Sequence, residues 1–153
     1  MAGMIVPAHS DHIFWIANNM READRNECAA GGRGPYAALR DSLERSISAW
    51  TGMVGDSEPV CMFGVAPLDL LGSTGSPWLL GTDAVQKYAV TFLKLNKVYI
   101  SKMLDIFPHL LNYVDARHVA AIRWLTWLGF KFDREAVPFG PFNLPFFRFE
   151  MRR

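Results

Sequence analysis

Apolar and polar positions alternate in short blocks along this chain, and the period of the alternation changes several times. Met4–Pro7 is a brief apolar run suited to a first strand. Ser10 or Asp11 stands where it can cap a helix carrying Ile13, Phe14, Ile16, Ala17 and Met20. A second helix is expected after Asp24 and stops at Gly31–Gly32. Pro35 suits the first turn of a third, along which Leu39, Leu43, Ile47 and Trp50 recur at helical spacing. The period then shortens. Thr51–Val54 and Pro59–Val65 flank the polar turn Gly55, Asp56, Ser57 and Glu58, a β-hairpin pattern. Leu68–Ser76, rich in Gly and Ser, reads as a connection, and Pro77–Gly81 as a buried strand. Gly52–Gly81 is thus expected to form an antiparallel meander.

A long helix follows from about Ala84 to Ile106, with Val85, Ala89, Phe92, Leu95, Tyr99, Met103 and Ile106 at intervals of three or four. Pro108 ends it. His109–Asp115 reads as a strand, His118–Leu128 as a helix stopped by Gly129, and Phe130–Arg134 and Phe146–Arg152 as strands. In the last strand Phe146, Arg148, Glu150 and Arg152 share one face. The loop between these strands holds Pro138, Gly140, Pro141 and Pro145. A helix between two strands of one sheet is a crossover, which makes those strands parallel. The expected architecture is α/β (α+β): a mixed, mostly antiparallel central sheet with helices on both faces, in one domain over residues 1–153.

Composition narrows the function. Sixteen basic and fifteen acidic residues leave a formal charge of +1, with no basic patch for nucleic acid or an anionic membrane. No stretch has the length and apolarity of a transmembrane span, and the first residues lack a signal-peptide pattern, so a cytoplasmic location is expected. Cys28 and Cys61 form no CxxC pair, and His9, His12, His109 and His118 lack zinc-site spacing, so no metal site is expected.

The stretch HLLNYVDARHVAAIRWLTWLGFKF, His109–Phe132, resembles the late strand–helix–strand of the GNAT (GCN5-related N-acetyltransferase) fold. The helix of that fold follows N-x-x-A-x-x-x-Y-x-x-x-G-F, and Ala121, Gly129 and Phe130 fall at matching places. Through MREADRNECAAGG, FGV and PWLLGT the chain is also similar to small acyltransferase-like phage proteins, among them the internal virion protein A type of short-tailed phages. The resemblance implies acetyl-CoA, or another acyl-CoA, as cofactor and an amine as acceptor. It implies that the pantetheine arm pairs with the strand edge at Leu79, Leu80 and Gly81. The pyrophosphate would then lie on the turn at Thr82, Val85 and Gln86, with Lys87 beyond. His118 and Ala121 would touch the cofactor.

Three positions depart from that pattern. The usual Q/R-x-x-G-x-G/A phosphate loop is replaced by GTDAVQKY, which keeps only Gly81 and adds Asp83, a candidate helix cap. His118 stands for the motif's Asn, as a cofactor contact or as a helix cap. Leu125 stands for its Tyr, and leucine donates no proton.

Candidate bases by element position are Glu22, Asp24, Glu27 and Glu58, none with a signature spacing. Tyr113, on the strand beside the implied cleft, is the candidate proton donor. Trp124 and Trp127 are placed to wall an acyl pocket, contact a partner or fill the core, and the aromatic loop FGPFNLPFF to cover the core or dock a partner. Cys28 would be a nucleophile only with a His partner. Two functions stay open at this point: an acyl-CoA-dependent N-acyltransferase, or a catalytically degenerate phage protein of the same fold, acting in virion assembly or host-protein binding.

Overall fold

Eight strands hydrogen-bond into one sheet in the order β1-β2-β3-β4-β5-β8-β6, with β7 paired to β8. The computed structural model describes residues 3–153. The strands are β1 (Met4–Pro7), β2 (Ser48–Val54), β3 (Glu58–Pro67), β4 (Thr74–Gly81), β5 (His109–Asp115), β6 (Lys131–Phe132), β7 (Val137–Phe139) and β8 (Leu144–Arg152). The helices are α1 (Asp11–Asn18), α2 (Glu22–Ala30), α3 (Pro35–Arg45), α4 (Ala84–Lys87), α5 (Ala89–Ile106) and α6 (Val119–Leu128). All ladders are antiparallel except β4 with β5. Residues Pro59–Val65 of β3 are all buried, as a strand covered on both faces must be. One apolar cluster, with Ile13, Ile16, Leu39 and Met62, lies under α1–α3. The other, with Phe63, Phe92, Met103 and Leu110, lies under α5 and α6.

Several element ends differ from the sequence expectation, and each has a local cause. The third helix stops at Arg45, because Ser46 is extended (φ −72°, ψ 139°) and Ile47 N donates to Val65 O. Ile47 therefore leaves the helix, and Trp50 belongs to β2, where its ring meets Phe63 and Tyr99. Met20 lies past the end of α1 and bridges Thr82, while Phe14 is exposed. The second helix begins at Glu22, which turns Asp24 inward within its first turn. The long helix is broken at Tyr88 (φ −108°, ψ 23°) into α4 and α5. The Leu68–Ser76 connection is shorter than expected, since β4 already starts at Thr74. Only Lys131 and Phe132 of the strand expected at Phe130–Arg134 pair with β8, and Val137–Phe139 of the following loop adds a short strand. Gly129 ends α6 at φ 104°, a backbone form that favours glycine.

The ladder between β4 and β5 is the feature that positions the site. It consists of two residue pairs, Thr74 with His109 and Gly75 with Leu110. Beyond them the strands part. Pro77 has no N–H to offer β5, and the Asn112 side chain crosses instead, its Nδ2 donating to Pro77 O at 2.6 Å. At the crotch the chains approach so closely that a Cβ on Gly75 would lie 2.4 Å from Phe107 Cδ2 and 2.7 Å from Val65 Cγ2. Both neighbours are core side chains with no room to retreat. The Gly75→Ala substitution is therefore expected to cost about 1–3 kcal/mol, read as a lowered urea midpoint. An unchanged midpoint would contradict this packing.

Candidate functional site

The parting strands open into a cavity of about 250 Å³ that passes through the sheet. From the α1–α3 side it is lined by Asp24, Glu27, Cys28 and Arg33, and from the other side by Asn96, Ile100, Ala121 and Trp124. Its wide end is spanned by one buried carboxylate. Asp24 Oδ1 accepts from His118 Nε2 at 2.7 Å. Asp24 Oδ2 accepts from Gly81 N and from Arg21 Nε, each at 2.8 Å. The His118 Nδ1 accepts from Ala121 N at 3.3 Å, so the ring proton belongs on Nε2. His118 thus caps α6 and at the same time ties it to α2, and it does so from a buried position.

Beside this bridge lies Glu27, one turn along α2. Its Oε1 accepts from Asp115 N, the last residue of β5, at 3.0 Å. Burial pushes its carboxyl up to about 7, with the nearby Asp24 and Asp115 carboxylates adding to the rise. The Asp115 N–H and His118 oppose that rise without cancelling it. Asp115 itself stays below the usual carboxylate range: burial alone would raise it, but the Arg117 side chain and amide outweigh that. Burial pushes both thiols, Cys28 and Cys61, up to about 12, so Cys28 is no nucleophile.

The gap-facing backbone of β4 follows from its alternation. In an antiparallel ladder every second residue turns both peptide groups away from its partner. Gly81 N and Pro77 O point away from β3, so Leu79 between them does too. Leu79 alone among these leaves both peptide groups to the cavity. Gly81 N is held by Asp24 and Gly81 O by Arg21 N at 3.0 Å. Leu80 directs its peptide groups at Met62, and its side chain packs under α1–α3.

The structure thus brings Leu79, Leu80, Tyr113, His118 and Ala121 together on the cavity wall. It places Gly81, Thr82, Val85, Gln86 and Lys87 outside that wall. Thr82 N donates to Val60 O at 2.8 Å, Val85 N to Thr82 O at 3.1 Å and Gln86 N to Asp83 O at 3.2 Å. Lys87 is exposed, its Nζ 5.3 Å from the centre of the Tyr88 ring. Asp83 precedes α4 but makes no side-chain cap bond; Thr82 Oγ1 accepts from Ala84 N instead. Tyr113 stacks on Phe139 at 4.9 Å, and Leu125 lines the cavity where the motif has its tyrosine. Glu22 and Glu58 are exposed and away from the cavity. Trp127 is exposed, whereas Trp124 lines the cavity, and its buried Nε1 has no partner among the described residues.

Sequence reasoning did not single out Asn112 as the strand-crossing residue, nor join Asp24 to His118, 94 positions away. Asp24, Glu27 and His118 also offer ligand atoms within 4.8 Å of one another, enough for a metal ion by distance. The donors are already committed, however: Asp24 by three hydrogen bonds and His118 Nε2 by its proton, with the Arg21 cation alongside.

Solved structures share this fold. An N-acetyltransferase of Staphylococcus aureus superposes with a TM-score of 0.74 at 12% identity, over 99% of both chains. The fold is that of the GNAT acetyltransferases. A spermidine N-acetyltransferase of Vibrio cholerae, in complex with CoA and spermine, has a TM-score of 0.71 at 11% identity, over 98% of this chain and 95% of its own. A phosphinothricin acetyltransferase of the GNAT superfamily from Sinorhizobium meliloti, in complex with AcCoA, has a TM-score of 0.72 at 14% identity, over 99% and 89%. No family model matches the sequence, and no curated protein matches it either. At such identities the likeness is one of GNAT fold. Among the described residues no helix is long and apolar enough to cross a membrane.

The Glu27 shift has a signature in stability. Between its ordinary value of 4.5 and about 7 the folded chain keeps a proton that the unfolded chain has released. Stability from this group is full below that window and is lost as pH rises through it. The wild-type advantage over the Glu27→Gln variant is expected to shrink across it by roughly 1–3 kcal/mol, measured by urea unfolding. Parallel pH curves for the two proteins would contradict the burial of this carboxyl.

Proposed function

We propose that this chain is an acyl-CoA-dependent N-acyltransferase, moving an acetyl or larger acyl group from a thioester to an amine. The observation that supports it most is Glu27, a carboxyl raised to about 7, at a cavity through the parting of β4 and β5. A base of that strength is half ionised near neutrality, which is what proton removal from an ammonium requires. The fold supports the same reading, and so do the CoA and AcCoA bound to two neighbours.

A bound acyl-CoA would supply an activated carbonyl. Leu79 N–H and C=O are placed to hold its arm. Glu27 removes the proton of the acceptor ammonium and frees its lone pair. Attack forms the C–N bond and breaks C–S, and the leaving thiolate takes up a proton. Tyr113 carries the only phenol of the cavity lining and is the proposed donor, in place of the tyrosine that Leu125 replaces. Holding the two reactants in one narrow opening accounts for much of the rate. His118 and Asp24 fix the position of α2, and hence of Glu27, relative to β4.

A second reading, a non-catalytic protein on this fold, is favoured by the turn after β4, whose amides at Thr82, Ala84, Val85 and Gln86 are already bonded within the chain. The resemblance to small phage proteins, with a role in virion assembly or host-protein binding, belongs to that reading. Thiol release from acetyl-CoA, assayed against primary amines including spermidine, separates the two. The acyltransferase reading expects release that rises with pH through about 7. It also expects a loss of roughly 10²–10⁴-fold in kcat for Glu27→Gln. No release with any amine, or full activity in that variant, would contradict it.

A further inference from the structure

We infer that the acceptor is an amino acid with an apolar side chain, its ammonium held at Glu27 and its carboxylate at Arg33. This rests on the acyltransferase reading and deepens it by naming the acceptor class. The cavity lining carries five groups able to bear charge: Arg21, Asp24, Glu27, Arg33 and His118. Three of them satisfy one another, since Asp24 accepts from both Arg21 and His118. The two left over, Glu27 and Arg33, have opposite signs and stand on the same α1–α3 side. Glu27 Oε1 accepts from Asp115 N, and Oε2 has no hydrogen bond among the described residues.

Arg33 is only loosely paired. Its Nη1 lies 3.5 Å from Asp41 Oδ2, beyond the 2.7–2.9 Å of a firm charged contact. The other oxygen of Asp41 lies 3.5 Å from Arg40 Nη2, so one carboxylate serves two guanidinium groups and a positive charge remains. Arg33 is half-buried, and its charge opposes the rise that burial imposes on the Cys28 thiol of the same wall. The turn that presents it is fixed. Arg33 N donates to Cys28 O at 3.0 Å, Gly32 takes φ 80°, and the β7–β8 turn clamps the end of α2 from outside. There a Cβ on Gly140 would lie 2.4 Å from Ala30 O, and one on Gly32 would lie 3.0 Å from Pro141 Cγ.

A planar guanidinium with free N–H groups suits a carboxylate, and a carboxylate near its pKa suits an ammonium. Both on one molecule make an amino acid. The rest of this side is apolar, with Ala38, Trp78, Phe139 and Phe146 on the wall, and Trp78 Nε1 is already given to Ser46 Oγ at 2.7 Å. That wall suits an apolar side chain. A polyamine fits poorly, because its second ammonium would meet Arg33 where it needs a carboxylate. The acid's nitrogen forms the C–N bond as C–S breaks, its proton passing to Glu27 and the thiolate taking one from Tyr113. The product is an N-acyl amino acid.

Isothermal titration of the intact protein, with CoA present so that no turnover occurs, tests this. The probes are L-leucine, L-methionine and L-phenylalanine, the carboxamide of each, and spermidine. At least one acid is expected to bind about tenfold or more tighter than its own amide and than spermidine. Arg33→Gln should weaken that acid by roughly 10–100-fold and leave the amide within about twofold. The comparison of acid with amide in the wild type needs no variant. Amide or spermidine binding as tight as the acid, an equal loss of acid and amide in Arg33→Gln, or binding of none of the three acids would overturn the inference. Thiol release from acetyl-CoA with spermidine but with none of the acids would also overturn it and leave the acyltransferase reading intact. Selective acid binding with no thiol release would contradict that reading and leave the acid site standing.

Discussion

One buried carboxylate, Asp24, joins the parts of this molecule that would otherwise be independent. It belongs to α2, accepts from the end of β4 at Gly81, and accepts from His118 at the head of α6. Arg21, 13% exposed, balances its charge from the preceding turn. Taking a carboxylate out of water costs several kcal/mol, and such a group persists only when its lone pairs are filled by well-placed donors. Asp24 meets that condition with three bonds of 2.7–2.8 Å. A strand-to-strand ladder at the same place would bring β5 against Gly81. The carboxylate and its histidine occupy that space instead.

The rest of the site follows from that wedge. With β4 and β5 paired only at their first residues, Leu79 is left without a strand partner and the cavity has a place to form. Packing α2 over the opening half-buries Glu27 among two other carboxylates, and low hydration there makes it a weaker acid than an exposed glutamate. The same packing draws Met20 and Arg21 onto the edge of β4 at Gly81 and Thr82.

Much of the architecture was legible in the amino-acid order. The uniform apolarity of Pro59–Val65, the three–four spacing through α5 and the stop at Gly129 each carried their element correctly, because each depends on local burial or backbone form. The ends were less legible where a distant partner decides. Ile47 and Trp50 continue a helical spacing, but pairing with β3 draws them into extended chain. The parting strands could be placed only through the resemblance to a known fold, and the residues at the opening only in part. Leu79 and Ala121 came with that resemblance, and Tyr113 with its place on the strand beside the implied cleft. Glu27 stood among four carboxylates with nothing in its spacing to select it, since its burial and its Asp24 and His118 neighbours are set by contacts 88 and 94 residues long.

Residue-resolved amide hydrogen exchange tests the central claim most directly, because the wedge makes three consecutive amides of β4 unlike. Leu80 N–H is committed to β3 and Gly81 N–H to the Asp24 carboxylate, whereas Leu79 N–H faces the gap. The account predicts fast exchange at Leu79 between two protected neighbours in the free protein, and protection of Leu79 when S-acetylpantetheine is added. Protection of Leu79 equal to that of Leu80 without any ligand would mean that the strands are joined along their length, and would contradict it.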